Sequence, residues 1–302
     1  MAITTHTSSK PSPDNILLTG PPRSGTTMTC WLLNKVHNVI ALHEPILFNA
    51  YSLDHSITSI LEEFIIQTRA QLVAEGNAPS HAMQGKIHSN PISTPSKPNQ
   101  SRSLVHSHQT VHFGKPSSDS FQLAIKHNAP FTARIETLSQ SYPLGVIVRN
   151  PLSLLYSWKT VPLPIREGRL PMAERYDKEF GQKLSSVEHI LDRQILILDW
   201  CFQKYQQVIP ANVFRYEEIV ATGGRLLASL FPNALDLTVR LSSRNQNEIY
   251  PHQSSSMLIE RLMQGQRHWQ AFYSEEEVVS MSRQAKENYS VQPPKNGQAD
   301  KD

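Results

Sequence analysis

The sequence predicts an α/β fold, with a central, mostly parallel sheet packed between helices in three αβα layers. Three observations predict it. Short apolar runs alternate with stretches of helical periodicity, the pattern of strands joined by helical crossovers. The first run, ILLT at 16–19, breaks at Gly20 and is followed by small hydroxylated residues that open a helix. Later runs end on His43-Glu44, Lys126-His127-Asn128, Arg149-Asn150 and Tyr216-Glu217, as expected where parallel strands bring their carboxyl ends to one edge.

The elements follow in order. Residues 1–14 contain no apolar run long enough for a signal peptide and read as a disordered tail. A buried strand is expected at 16–19, then a helix at 26–37 carrying Trp31, Leu32, Leu33 and Val36. A second strand at 39–42 ends at His43-Glu44-Pro45, and the spacing of Ile57, Ile60, Leu61, Phe64, Ile65 and Leu72 predicts a helix over 57–73. From about 77 to 120, Ser, Pro, Asn, Gln and His dominate and periodicity fades, so a loop-rich insertion is expected. Its histidines, among them His81, His88, His106, His108 and His112, lack an i, i+4 pair or a Cys partner, and no metal is expected. Strands resume at 121–125 and 145–148, each followed by a helix, at 131–138 and 152–158. Val187, Ile190, Leu191, Leu198, Cys201, Phe202 and Tyr205 keep helical spacing over 187–205 and read as core. A last strand at 212–215 leads into Tyr216, and Ser274 with Glu277 has the spacing of a capping box for a final helix. One domain over 15–290 is expected, with a second disordered tail at 291–302.

Composition narrows the class. The chain has 302 residues, 29 basic and 26 acidic, and this balance argues against a general nucleic-acid binder. Cys30 and Cys201 are expected as buried, reduced thiols. No segment approaches the ~20 apolar residues of a membrane span. A cytoplasmic protein is expected, and its oligomeric state is left open.

The stretch ILLTGPPRSGTT has the layout of a strand–loop–helix phosphate cradle, in which backbone N–H groups and a helix N-terminus gather around an anion. Gly20, Gly25 and the pair Thr26-Thr27 match the spacing of the nucleotide P-loop, so a P-loop-like fold is expected. Thr26 stands where an ATPase has its lysine, and the nearest cation is Arg23, inside the loop. An NTPase would also carry an acid at a strand end to hold Mg²⁺. Here two strands end in cations. A site of Arg23, Lys126, Arg149 and His127 suits a ligand with several negative groups and no obligatory metal. Ser157, eight residues after Arg149, is placed to share a phosphate with it if the helix folds back over the loop.

These residues resemble the sulfotransferases that use 3′-phosphoadenosine 5′-phosphosulfate. GPPRSGTT resembles their 5′-phosphosulfate loop, in the arginine-bearing form of carbohydrate and bacterial members. VIVRNPLSLLYSW resembles the 3′-phosphate motif, and FRYEEI the later strand near the adenine. Gln266-Arg267-His268-Trp269 resembles the C-terminal cofactor element. The resemblance implies that Arg23, Ser24, Gly25, Thr26 and Thr27 hold the 5′-phosphosulfate. It implies further that Arg149 and Ser157 bind the 3′-phosphate, that Tyr216 approaches the adenine, and that Arg267 closes over the phosphates. Sulfuryl transfer to a hydroxyl or amine of a carbohydrate, lipid or small molecule would follow. Arg23 and Lys126 would stabilise developing charge. Two residues qualify as the base. Glu44, in LHEP, resembles the glutamate after the first helix of carbohydrate and bacterial members. His127, 22 residues before Arg149, stands where cytosolic members place a histidine after a lysine. The arginine-type loop favours Glu44.

Two features depart from the family. Cytosolic members carry a Trp near the start of the first helix to stack on adenine, where this chain has Met28, and the glycine-rich C-terminal loop is incomplete. Two other readings stand beside this one: a P-loop small-molecule or nucleoside kinase, and a nucleotide-binding module without catalysis. Residues 77–120 and 163–176 are expected to shape the acceptor pocket. Arg166, Arg169 and Arg175 in the latter segment hint at an acidic or polar acceptor.

Overall fold

A computed structural model describes residues 14–93, 102–114, 120–208, 212–245 and 255–280. The chain runs through β1 (Asn15–Thr19), α1 (Thr26–Leu33), β2 (Val39–His43), α2 (Ile57–Glu75), β3 (Asn77–Ala82), β4 (Ser107–His112) and β5 (Gln122–Lys126). It continues through α3 (Ala129–Ala133), α4 (Ile135–Ser141), β6 (Leu144–Val148), α5 (Pro151–Lys159), α6 (Pro171–Tyr176), α7 (Lys178–Ser185) and α8 (Ile190–Val208). The last named elements are β7 (Val213–Arg215), α9 (Tyr216–Ala221) and α10 (Ser255–Gln264).

Five strands form one sheet in the order β2-β5-β1-β6-β7, with every neighbouring pair parallel. Strand side chains alternate between faces, and here both faces are buried. Ile16 and Leu18 join an apolar layer with Leu32 of α1, Ile219 of α9 and Phe231. Leu17, between them, joins the opposite layer with Ile60 of α2, Leu138 of α4, Leu155 of α5 and Leu198 of α8. The result is the expected three-layer αβα architecture. Because every strand in the sheet is parallel, the residues after β1, β2, β5, β6 and β7 all emerge at one edge.

Several boundaries moved for identifiable reasons. The first helix ends at Leu33 instead of 37 because Asn34 turns the chain: its amide donates to Cys30 O and Ala41 O, and its Oδ1 accepts from Ala41 N. The helix expected at 131–138 is broken at Arg134, whose φ of −119° separates α3 from α4. Part of the 77–120 segment is ordered as an antiparallel ribbon of β3 and β4, with Ala78 opposite Val111. Its periodicity is faint because the inward residues of β3 are the small Ala78, Ser80 and Ala82, while β4 is mostly exposed. The capping box is present: Ser274 N–H donates to Glu277 Oε2 (2.7 Å) and Glu277 N–H to Ser274 Oγ (3.2 Å), opening a helix at 275–280. Cys30 and Cys201 are buried free thiols. Among the described residues no helix is long and apolar enough to cross a membrane. The expected tails lie outside the described residues, apart from Asp14, and so does the domain's expected end at 281–290.

Candidate functional site

The turn from β1 into α1 is shaped by close packing. A Cβ on Gly20 would lie 2.2 Å from the Ile147 carbonyl, and one on Gly25, at φ +101°, would lie 2.6 Å from the Tyr216 ring. Arg23 takes a left-handed φ of 72°, which costs a residue with a Cβ about 1–2 kcal/mol. Gly25 caps α1 without a side-chain hydrogen bond, leaving first-turn N–H groups to an anion or solvent. Ser24 is fully buried and its Oγ has no hydrogen-bond partner among the described residues. Thr26 and Thr27 are also buried, and Thr27 Oγ1 lies 3.2 Å from His43 Nε2.

Arg149 emerges from β6 and reaches this turn. Its guanidinium donates to Arg23 O (3.1 Å), Asn245 Oδ1 (2.6 Å) and Arg244 O (2.7 Å), and lies 4.8 Å from the Tyr216 ring centre. Tyr216 is buried, and its hydroxyl accepts from Arg244 N–H (3.0 Å). Asn150 caps α5, accepting from Leu152 N–H and Ser153 N–H. About two turns further along α5, Trp158 Nε1 donates to Pro22 O (2.7 Å). Helix α5 does fold against the loop, but Ser157 meets Arg23 there rather than Arg149: Arg23 Nε donates to Ser157 Oγ (3.3 Å) and Arg23 Nη1 to Asn90 Oδ1 (3.2 Å). Arg267 sits elsewhere, half-exposed and paired with Glu275 at 2.5 Å. The structure therefore brings Arg23, Gly25, Thr26, Thr27, Glu44, Lys126, Arg149 and Tyr216 around one cavity of about 410 Å³. Ser24 and Ser157 lie buried behind the loop, and Arg267 is not part of the cavity.

The ends of β2 and β5 meet in an ion pair. Lys126 Nζ lies 2.6 Å from Glu44 Oε1, with the lysine side chain 2% exposed and the glutamate side chain 36% exposed. Burial alone would raise the Glu44 carboxyl. The Lys126 ammonium outweighs it, helped by His43, His127 and the short hydrogen bond, and holds the carboxyl well below the usual range. Glu44 has a positive φ of 48°, and its carbonyl lies 2.8 Å from His81 Nδ1. His127 is placed differently. Its Nε2 accepts from Ile46 N–H (3.2 Å), and its ring packs edge-on against Phe48 and Phe131. Burial, opposed by Glu44 and assisted by Lys126 and His81, pushes it down to about 3. A neutral imidazole whose Nε2 lone pair is already engaged is poorly placed to take a proton, whereas Glu44 borders the cavity directly.

The cavity is lined by five arginines (Arg23, Arg102, Arg149, Arg240, Arg244) and Lys126, against Glu44 as the single carboxylate among the described lining residues. Several of these residues escaped the sequence reading. Arg102 and Asn90 come from the segment between β3 and β4, and Arg240 and Arg244 from irregular chain after α9, where no periodicity marks them; His106, named above only among the histidines of 77–120, lines the cavity too. Trp31 also lines the cavity. It was detectable, since it follows Met28 by three residues and so shares its face of α1. No protein-family model matches the chain, and no curated protein matches it.

Proposed function

We propose that the protein is a sulfotransferase that moves a sulfuryl group from 3′-phosphoadenosine 5′-phosphosulfate to an acceptor hydroxyl. One observation carries this reading: a glycine turn at the carboxyl edge of a parallel sheet opens onto a cavity whose described lining has six cationic side chains and one carboxylate, which is itself held by a lysine. Such a lining favours a ligand bearing several negative groups. A volume of about 410 Å³ falls in the range of small-molecule sites, about 300–1,000 Å³. The sole described carboxylate is committed to Lys126, which disfavours the Mg²⁺–nucleotide arrangement of a kinase.

The chemistry follows from placement. The turn and the first-turn N–H groups of α1 would hold the 5′-phosphosulfate, with Arg23 beside them. Arg149 would fix the turn's shape through Arg23 O and add positive potential. Trp31 would offer a face to the adenine. The acceptor oxygen attacks sulfur as the bond from sulfur to the phosphate oxygen breaks, and the acceptor proton passes to Glu44. Lys126 sits between the two events. As negative charge grows on the leaving phosphate oxygen, the ammonium is drawn toward it and its hold on Glu44 weakens, so the carboxylate gains basicity when a base is needed.

Titration calorimetry tests the donor site. Adenosine 3′,5′-bisphosphate without metal should bind more tightly than ATP–Mg²⁺; the reverse order would overturn the proposal. Transfer is read as labelled sulfate moving from the donor to members of an acceptor panel.

A further inference from the structure

Beside the cationic cavity lies a second one, of about 470 Å³. The two share Pro22, Glu44, His81, Asn128 and Leu163, so they meet at the Glu44 carboxylate. Their walls differ in kind. Away from the junction, the second cavity is walled by Ile46, Phe48, Ile165, Leu170 and Met172 together with prolines. Two polar side chains along this stretch are engaged, Arg169 with Glu174 and His127 through Nε2 with Ile46 N–H, and Asn49 lies exposed at the rim. Arg175, one of the cations that hinted at an acidic acceptor, donates instead to the carbonyls of Asn49 and Tyr51. Unspent hydrogen-bonding capacity sits at the junction. There Asn128 lines both cavities, as Glu44 does, and its buried Oδ1 has no partner among the described residues.

A sugar carries hydroxyls around its whole ring, and each one buried against this wall without a partner would be penalised. An occupant with an apolar body and one hydroxyl at its end matches both halves of the lining. We infer that the second cavity is the acceptor site and takes an apolar-bodied alcohol or phenol, with its hydroxyl at Glu44 and Asn128 and its body against Phe48, Ile165 and Met172. The fate of that hydroxyl rests on the sulfuryl-transfer reading; its binding does not. In the transfer, the acceptor oxygen gains the bond to sulfur, the phosphate oxygen leaves with the electron pair of the broken bond, and the proton goes to Glu44.

The test titrates the full chain with 2-naphthol, 1-octanol and N-acetylglucosamine, with and without saturating adenosine 3′,5′-bisphosphate. Two variants accompany it. Met172→Trp fills the cavity from a half-buried position on α6, and Leu47→Asp charges its lining at a residue 48% exposed, where the core is undisturbed. Naphthol, octanol or both should bind, and comparing them separates a ring-shaped from a chain-shaped occupant. Met172→Trp should weaken that binding tenfold or more, Leu47→Asp should weaken it less, and the amino sugar should give no heat. Binding of the sugar but of neither apolar compound would overturn the inference. So would apolar binding that both variants leave unchanged. If the apolar compounds bind and Met172→Trp blocks them while the bisphosphate fails to bind, the transfer reading falls and the cavity assignment stands. If the bisphosphate binds and the sugar alone accepts labelled sulfate, the cavity assignment falls by itself.

Discussion

At the ends of β1 and β6, polar groups are tied to one another: Arg149 donates to Arg23 O, Arg244 O and Asn245, and Trp158 donates to Pro22 O. At the ends of β2 and β5, a buried lysine and a glutamate whose side chain is about one-third exposed face each other across 2.6 Å where two cavities meet. The contrast separates two uses of charge. A guanidinium bonded to backbone carbonyls holds a shape, because moving it would leave several buried groups unsatisfied. A lone ion pair touching solvent can reapportion its charge when a third ion arrives.

The sharpest way to break this contrast is Glu44→Gln. It should lower transfer by about 10²–10⁴-fold while leaving bisphosphate affinity within a few-fold in calorimetry. A full loss of bisphosphate binding would instead make Glu44 part of the donor cradle. Arg149→Ala should act on the other side. Removing a charged donor that serves buried acceptors should cost about 3 kcal/mol of unfolding free energy, read from the urea midpoint, and weaken bisphosphate binding as the turn loosens. An unchanged midpoint would show that the brace does not hold the turn.

Acid should act on the β2–β5 side. His127 stays neutral down to about 3 in the folded protein, against about 6.5 in the unfolded chain. Between these values the unfolded state binds a proton that the folded state does not, so stability falls as pH drops below about 6.5. His106, pushed down to about 4 by burial with His88, His81 and Lys126 adding to it, and His43, held well below its usual range by burial and Lys126, act in the same direction. Glu44 adds a further loss below about 4.3, where the unfolded carboxyl protonates while the native one remains ionised. Urea midpoints at pH 7 and pH 5 should therefore separate, at up to about 1.4 kcal/mol per pH unit for each differing proton. His127→Gln, which keeps an acceptor near Ile46 N–H, should shrink that gap and change transfer by less than about tenfold, well under the effect of losing a true base. Trp31→Ala should act on donor binding alone. Losing one base-stacking face costs about 1–3 kcal/mol, so bisphosphate affinity should fall by roughly tenfold or more with stability nearly unchanged.

Much of the sheet was readable from the sequence because its strands are short apolar runs punctuated by polar strand ends. β6 is the clearest case, LGVIV buried throughout and followed by Arg149-Asn150. Glu44, Lys126 and Arg149 could be placed at one edge of the sheet, where they line one cavity, because parallel topology turns "after a strand" into a location. Ser157 was expected to share a phosphate with Arg149 and its hydroxyl accepts from Arg23 Nε (3.3 Å), because spacing along a helix fixes a face but not which guanidinium meets it. Arg102, Arg240 and Arg244 could not be found, since they reach the cavity from irregular chain whose path is set by tertiary packing. The β3–β4 ribbon was missed because Ala and Ser on its inward face carry too little apolar signal to show a period of two.

The sheet's two outer rims carry one more consequence. β7 is only three residues long, Val213–Arg215, and ends on a charge. The far rim of β2 is met by Ser80 of the ribbon, which accepts from His43 N–H (2.9 Å). Neither margin presents a long, bare row of backbone groups to a neighbouring molecule, so a layer built almost wholly from aliphatic strands is guarded against stacking edge to edge into aggregates.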